Sequence, residues 1–307
     1  MRTVGSVELL DLEAMSAGGL RDTGIDRIGA SWLVDEERVF VVGGLPPGHD
    51  LAGDVLAMSI APSLEDGDAP ETWLRVLPRY MHGEAPLGAG RWLLVGGLAG
   101  EGGRLWATAA VERIDVRARE VARLPDLPFR SAEPLVLALG DGRVLVAGGY
   151  DQDVHGAAAV LDSDCIQWTI APPLPSPRAA CPGPIVLDER HVLFAGGWAG
   201  LDSAPPRDAL ILDTRTLEWQ RADIDVPVGA AVVGLGDRLL VSGGRDEGGQ
   251  VAGDNTVWTW APRRERSERL GGTAARSGGA ASTAEGGSQQ DVFTCRWGPR
   301  TRGSGSG

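Results

Sequence analysis

The chain of 307 residues contains no lysine: all 29 of its basic residues are arginine. Asparagine, whose codons share the A-rich bias of lysine codons, occurs only at Asn255, so the pattern reads as GC-rich, bacterial-type coding rather than as selection for function. Cysteine is scarce as well. Cys165, Cys181 and Cys295 are odd in number and widely spaced, which excludes a disulfide framework and any CxxC metal or redox site; neutral thiols are expected. No apolar run approaches the roughly eighteen residues of a membrane span. The N-terminal MRTVGSVELLDLEAM lacks the apolar core of a signal peptide, so a cytoplasmic location is expected. Positive charge is outweighed, 29 basic residues facing 42 acidic ones for a net −13 and a pI near 4.8. Nucleic acid needs clustered cations to displace counterions, and anionic lipid needs a basic surface, so neither is expected as a partner.

Glycine is abundant at 45 residues, and ten of the few aromatic side chains are tryptophan. That mixture points to short strands and many turns rather than long helices. Five segments share an apolar run that closes on two glycines: RVFVVGG at 38–44, RWLLVGG at 91–97, RVLVAGG at 143–149, HVLFAGG at 191–197 and RLLVSGG at 238–244. The doublets are Gly43-Gly44, Gly96-Gly97, Gly148-Gly149, Gly196-Gly197 and Gly243-Gly244, with second glycines 53, 52, 48 and 47 residues apart. An apolar stretch and a tight turn precede most doublets (LVLALGDGR, VVGLGDR), a hairpin signal because such turns need positive φ. The second repeat is poorest here, with LGAGR in place of a clear first strand. After each doublet come a loop, a strand ending in Asp and a turn to a further strand. In AVLDSDCIQW and LILDTRTLEW a Trp follows the Asp by six residues, Asp162 to Trp168 and Asp213 to Trp219. The second and fifth repeats lack that Trp, and in the irregular first repeat Trp73 follows a polar insert.

This unit resembles the kelch repeat, and the resemblance implies an all-β, kelch-type β-propeller. A period near fifty residues is that of a four-stranded blade. The propeller is expected over residues 1–264, as six four-stranded blades, one of them composite: SVELLDLEAMSAGGL reads as the outer half of a blade whose first strands come from elsewhere. DVFTCRWG at 291–298 is the expected closing strand, after a flexible Gly/Ala/Ser-rich segment at 265–290 and before a disordered tail at 299–307. A monomer is expected.

No HExxH, GxSxG, P-loop or dinucleotide fingerprint is present. The histidines are His49, His82, His155 and His191; His191 stands in a strand slot that arginine fills elsewhere, while His49 and His155 follow doublets. Some kelch propellers are copper radical oxidases, but Tyr80-Met81-His82 departs from the ligand pattern of that family and Tyr150 is the only other tyrosine. Copper oxidation is not expected, nor any other metal or cofactor. The acidic insert Glu65-Asp66-Gly67-Asp68 lacks the spaced ligands of a calcium loop and reads as a solvated turn. The suggestive polar series is arginine: Arg79 (LPRY), Arg130 (LPFR) and Arg178 (LPSPR) each follow a Leu-Pro-bearing link into the next repeat, and the fourth link, IDVPVGA, lacks one. Two roles are open to them, lining a pocket at the channel mouth with His155, or bracing adjacent blades. With no assembled catalytic set, the expectation is a noncatalytic module that binds a protein segment or small anionic ligand at its loop-lined face. The alternative is a carbohydrate-active enzyme resembling kelch-type sugar mutarotases.

Overall fold

The computed structural model of the chain describes residues 6–11, 16–36, 38–48, 50–59, 69–181, 183–222, 224–235, 238–245, 250 and 256–259. The expected linker, closing strand and tail (265–290, 291–298, 299–307), the acidic insert, His49 and Cys295 lie outside the described residues.

Among the described residues all regular structure is β. A two-stranded antiparallel ribbon, Ser6–Asp11 with Ser16–Asp22, comes first. Five larger antiparallel sheets follow, each with its strands side by side in chain order, and two short hairpins, Leu98–Glu101 with Arg104–Ala107 and Tyr150–Asp151 with Asp153–Val154, stand after the second and third doublets. The first sheet comprises Ser31–Asp35, Arg38–Val42, Asp54–Ser59 and Glu71–Arg75. The second comprises Gly83–Gly88, Arg91–Val95, Val111–Asp115 and Glu120–Arg123. Leu135–Ala138, Val144–Ala147, Ala158–Leu161 and Trp168–Ile170 make the third. Ile185–Val186, His191–Ala195, Ala209–Asp213 and Trp219–Ala222 make the fourth. The fifth has three described strands, Ala231–Leu235, Arg238–Ser242 and Thr256–Thr259. Such a series of four-stranded sheets is compatible with a propeller.

The second strands of the second, third and fourth sheets are apolar on both faces, and each of these sheets is covered on both faces. Phe40 and Val42 of the first sheet pack with Trp92 and Leu94 of the second. Leu93 and Val95 then turn the other way, against Val144 and Val146 of the third. Leu145 of the third meets Val192 and Phe194 of the fourth, and Leu193 of the fourth meets Leu239 and Val241 of the fifth. Burying one such side chain contributes about 1.5–3 kcal/mol, while ordering one residue's backbone costs about 1–2 kcal/mol. A sheet covered on one face only would barely gain.

The repeated Asp residues cap the turns between third and fourth strands. Asp162 Oδ1 accepts from the backbone N–H groups of Ile166 and Gln167, and Asp213 Oδ1 from those of Arg215 and Thr216. The tryptophans then tie neighbouring sheets at their outer edges. Trp168 Nε1 donates back to Pro125 O at 2.9 Å and Trp219 Nε1 back to Pro172 O at 3.2 Å. Trp73 reaches forward instead, to Val116 O in the second sheet. The first strand that LGAGR left obscure is present as Gly83–Gly88. It stands at a sheet edge, where Pro86 interrupts no second ladder.

The doublets mark where adjacent sheets approach most closely. Gly44 N–H donates to Arg79 O, Gly97 N–H to Ser131 O and Gly149 N–H to Arg178 O, each at 2.8–2.9 Å and each from one sheet to the link entering the next. Gly148 and Gly149 hold φ of 66° and 97°. A Cβ on Gly148 would lie 2.4 Å from Arg178 O, and one on Gly149 1.9 Å from Ser131 Oγ. Conformation and contact both require glycine there.

Candidate functional site

The first strands of three successive sheets, with the links that lead into them and into the fourth, converge on one cavity of about 630 Å³, walled by residues 29–32, 81–84, 133–136, 180–181 and 183–184. Its size falls within the roughly 300–1,000 Å³ usual for ligand sites. A belt of backbone hydrogen bonds runs along its wall: Met81 N–H donates to Gly29 O at 2.8 Å, Glu133 N–H to Met81 O at 2.7 Å, and Ala180 N–H to Glu133 O at 3.1 Å. These are equivalent positions in successive repeats, and all hold left-handed backbone, at φ of 62°, 54°, 49° and 51° for Gly29, Met81, Glu133 and Ala180. The post-doublet segments lie at the same end, because Ile28, Tyr80, Ala132, Ala179 and Val228 bridge to Leu45, Leu98, Tyr150, Trp198 and Arg245.

The polar lining is acidic. Burial raises the pKa of the Glu84 carboxyl, and the hydrogen bond it accepts from Ser31 Oγ at 2.7 Å offsets this only in part. Burial alone raises that of Glu133. His82 is 7% exposed, and neither ring nitrogen has a hydrogen-bond partner. Burial, aided by the neighbouring Arg79 charge, pushes its pKa down to about 3, so the ring is neutral at ordinary pH. Burial also lifts the Cys181 thiol to about 11, and its Sγ donates to Gly196 O at 3.5 Å. A thiol so protonated is a poor nucleophile. The Tyr150 and Trp198 rings stand edge to face with centroids 5.6 Å apart, and Tyr80, 8% exposed, packs with Leu98, Ala107 and Ala132. Burial raises both phenol pKa values, that of Tyr150 to about 12, and the nearby Glu133 charge adds to each shift.

The arginine series takes a different place from the one expected for a pocket. Arg79 and Arg178 are 0% exposed and absent from the cavity wall. The Arg79 guanidinium donates to Gly96 O, Ala110 O and Glu112; that of Arg178 donates to Gly196 O, Ser176 Oγ and Asp208. Both therefore brace a glycine doublet against the third strand of the same sheet rather than tying adjacent sheets together. Arg27, unnoticed in the sequence, fills the same slot, bonding Gly43 O and Asp54. In the third repeat the slot holds Ser131, whose Oγ donates to Gly148 O. Arg130 stands one residue earlier, exposed and outside the cavity wall. His155 is also outside the wall; its Nε2 pairs with Arg130 O at 3.2 Å and its ring packs edge-on to Phe129. His191 pairs with Asp188 in its strand.

The structure thus draws none of the four residues expected to form an anion pocket into the cavity, and the described wall carries no group that is cationic at neutral pH. Sequence reading missed Glu84, Glu133 and His82 as lining residues. Their signal is positional, each standing one to four residues after the bridging residue of its link. Hairpin turns of unequal length hide that register when counting back from the doublets.

Among the described residues no three His, Cys, Asp or Glu side chains cluster in a way that would hold a metal ion, and no helix is long and apolar enough to cross a membrane. No family model matches the chain, and no curated protein matches it.

Proposed function

We propose that the chain is a kelch-type β-propeller of six blades, with the N-terminal ribbon forming part of a composite blade, and that it is a noncatalytic module holding a protein segment over its loop face. The observation that carries this reading is the convergence of three first strands and the link to a fourth on one cavity, with post-doublet segments gathered at the same end. Loops on a rigid scaffold are suited to binding. The exposed Trp32, 46% accessible on the cavity wall, supplies the aromatic surface that protein interfaces favour. The acidic wall offers nothing to a small anion, which favours the protein-segment branch.

Panning a displayed random-peptide library on the full chain tests the proposal. Selected peptides should bind wild type by calorimetry and weaken roughly tenfold or more in Trp32→Ala, as expected of an interface aromatic. Peptides that bind both forms equally would place recognition elsewhere.

One observation favours the sugar-mutarotase alternative: two carboxyls raised toward neutrality share the cavity with a neutral imidazole, groups fit to exchange protons with a sugar hydroxyl. Faster anomer exchange by NMR, abolished in Glu133→Gln, would select that reading.

A further inference from the structure

The cavity holds unfulfilled electrostatic capacity. Asp54, Glu112 and Asp208, part-buried carboxylates at the same end of the sheets, each have an arginine partner. Glu133 has none: burial is the only influence on its carboxyl, and neither a hydrogen bond nor an ion pair offsets it among the described residues. Its backbone is pinned on both sides by the belt, so the side chain is held at the wall. Glu84 has one oxygen engaged by Ser31 and the other without a protein donor among the described residues. A second, independent observation is His82. It is a wall residue, 7% exposed, with both ring nitrogens unpartnered. Buried polar groups without partners are costly, and a site that leaves several together is one that a ligand completes.

Resting on the binding-module reading, we infer that this cavity receives the guanidinium of an arginine side chain projecting from a partner polypeptide, with Glu133 and Glu84 as its counter-charges. Arginine fits better than lysine because its planar fork can engage one carboxylate with two donors and still offer others to Glu84. The exposed Trp32 on the cavity wall suits a flat cation, whose stem packs on the ring while its head is drawn inward. The absence of a three-ligand cluster among the described residues turns the choice from a metal ion to an organic cation. A net charge of −13 adds long-range attraction for a basic segment.

Isothermal calorimetry on the full chain, with N-acetyl-Gly-Arg-Gly-amide as probe, tests the assignment. Its citrulline counterpart keeps the shape without the charge, its glutamate counterpart reverses the charge, and agmatine offers a free guanidinium. Saturable binding of the arginine peptide is expected, with the citrulline peptide and the Glu133→Gln protein each weaker by roughly ten- to hundredfold, the loss typical of a charge-assisted pair. Glu84→Gln should weaken binding less, and both variants should melt no lower than wild type, because each removes a buried charge with no cationic partner. Equal binding of the arginine and citrulline peptides, preference for the glutamate peptide, or undiminished affinity in the Glu133→Gln/Glu84→Gln double variant would overturn the inference while leaving a binding module intact. Agmatine binding as tightly as the peptide would overturn the polypeptide assignment. Failure of all four probes, together with failure of library panning, would remove both readings.

Discussion

His82 shows how a single side chain can report on its burial. Its imidazole carries an ordinary pKa of 6.5 when unfolded and about 3 when folded, because the cavity wall excludes water and Arg79 stands nearby. Between these values the unfolded chain binds a proton that the folded chain refuses. The contribution is therefore fully present above about pH 6.5 and is lost as pH falls toward about 3. Glu84 and Glu133, whose pKa values are raised, act with the opposite sign as pH rises above their ordinary value of 4.5, so the informative quantity is the difference between wild type and a variant. His82→Leu should match or exceed wild-type stability at pH 8, since no hydrogen bond is lost, and should lose less melting temperature between pH 7 and pH 5. Parallel melting profiles would show that the ring titrates normally. Asp213 is set the opposite way. Burial would raise its pKa, but hydrogen bonds from Arg190, Arg215 N–H and Thr216 N–H prevail and hold it down to about 2.

At the scale of the sheet, the arginine braces obey a pairing rule. Where Arg27 and Arg178 fill the link slot, Asp54 and Asp208 stand at the start of the third strand, their carbonyls accepting from the paired N–H groups of Gly43 and Gly196. In the third sheet Ser131 replaces the arginine, and the corresponding position is Ala157. In the second sheet the corresponding residue is Ala110, and Glu112, two residues along on the same side of the strand, supplies the carboxylate. A buried guanidinium without a counter-charge costs about 3–5 kcal/mol, so the two positions are replaced together or not at all. Asp208→Ala, which strands the 0%-exposed Arg178, should lower the unfolding free energy by roughly that amount. Arg178→Ser/Asp208→Ala, which copies the third sheet, should recover about half or more of the loss in urea titration. A double variant as unstable as Asp208→Ala would refute the rule. Legibility in sequence followed the same lines. The Asp turns, Asp162 and Asp213, were visible because their hydrogen bonds are local, spanning two to five residues. The arginine register slipped by one at Arg130 because only the contacts across a link distinguish it from Ser131.

Across the whole molecule, four of the hydrophobic clusters draw on two adjacent sheets, and none of these four belongs to one sheet alone. The third sheet gives Val144, Val146 and Leu161 to the second and Leu145, Ala147 and Val160 to the fourth. Separated from both neighbours it exposes two apolar faces and keeps only its hairpin hydrogen bonds. A peptide of residues 131–178 should therefore show no β-sheet circular dichroism and no cooperative melting. Independent folding of that piece would mean that stability resides within each sheet rather than between sheets.

What the amino-acid order decided by itself is everything carried by short-range pattern. It set the period of about fifty residues, the apolar runs that must be covered on both faces, the glycine doublets and the Asp-capped turns. Each depends on backbone conformation or on partners a few residues away. The composition of the cavity belongs to the tertiary structure alone. Glu84, Glu133 and His82 come from separate repeats, and nothing in their immediate neighbours distinguishes them from solvated residues. Only the stacking of sheets, which brings three first strands and the link to a fourth to one place and draws Arg79 and Arg178 away from it, determines that an acidic wall rather than an arginine ring lines the cavity.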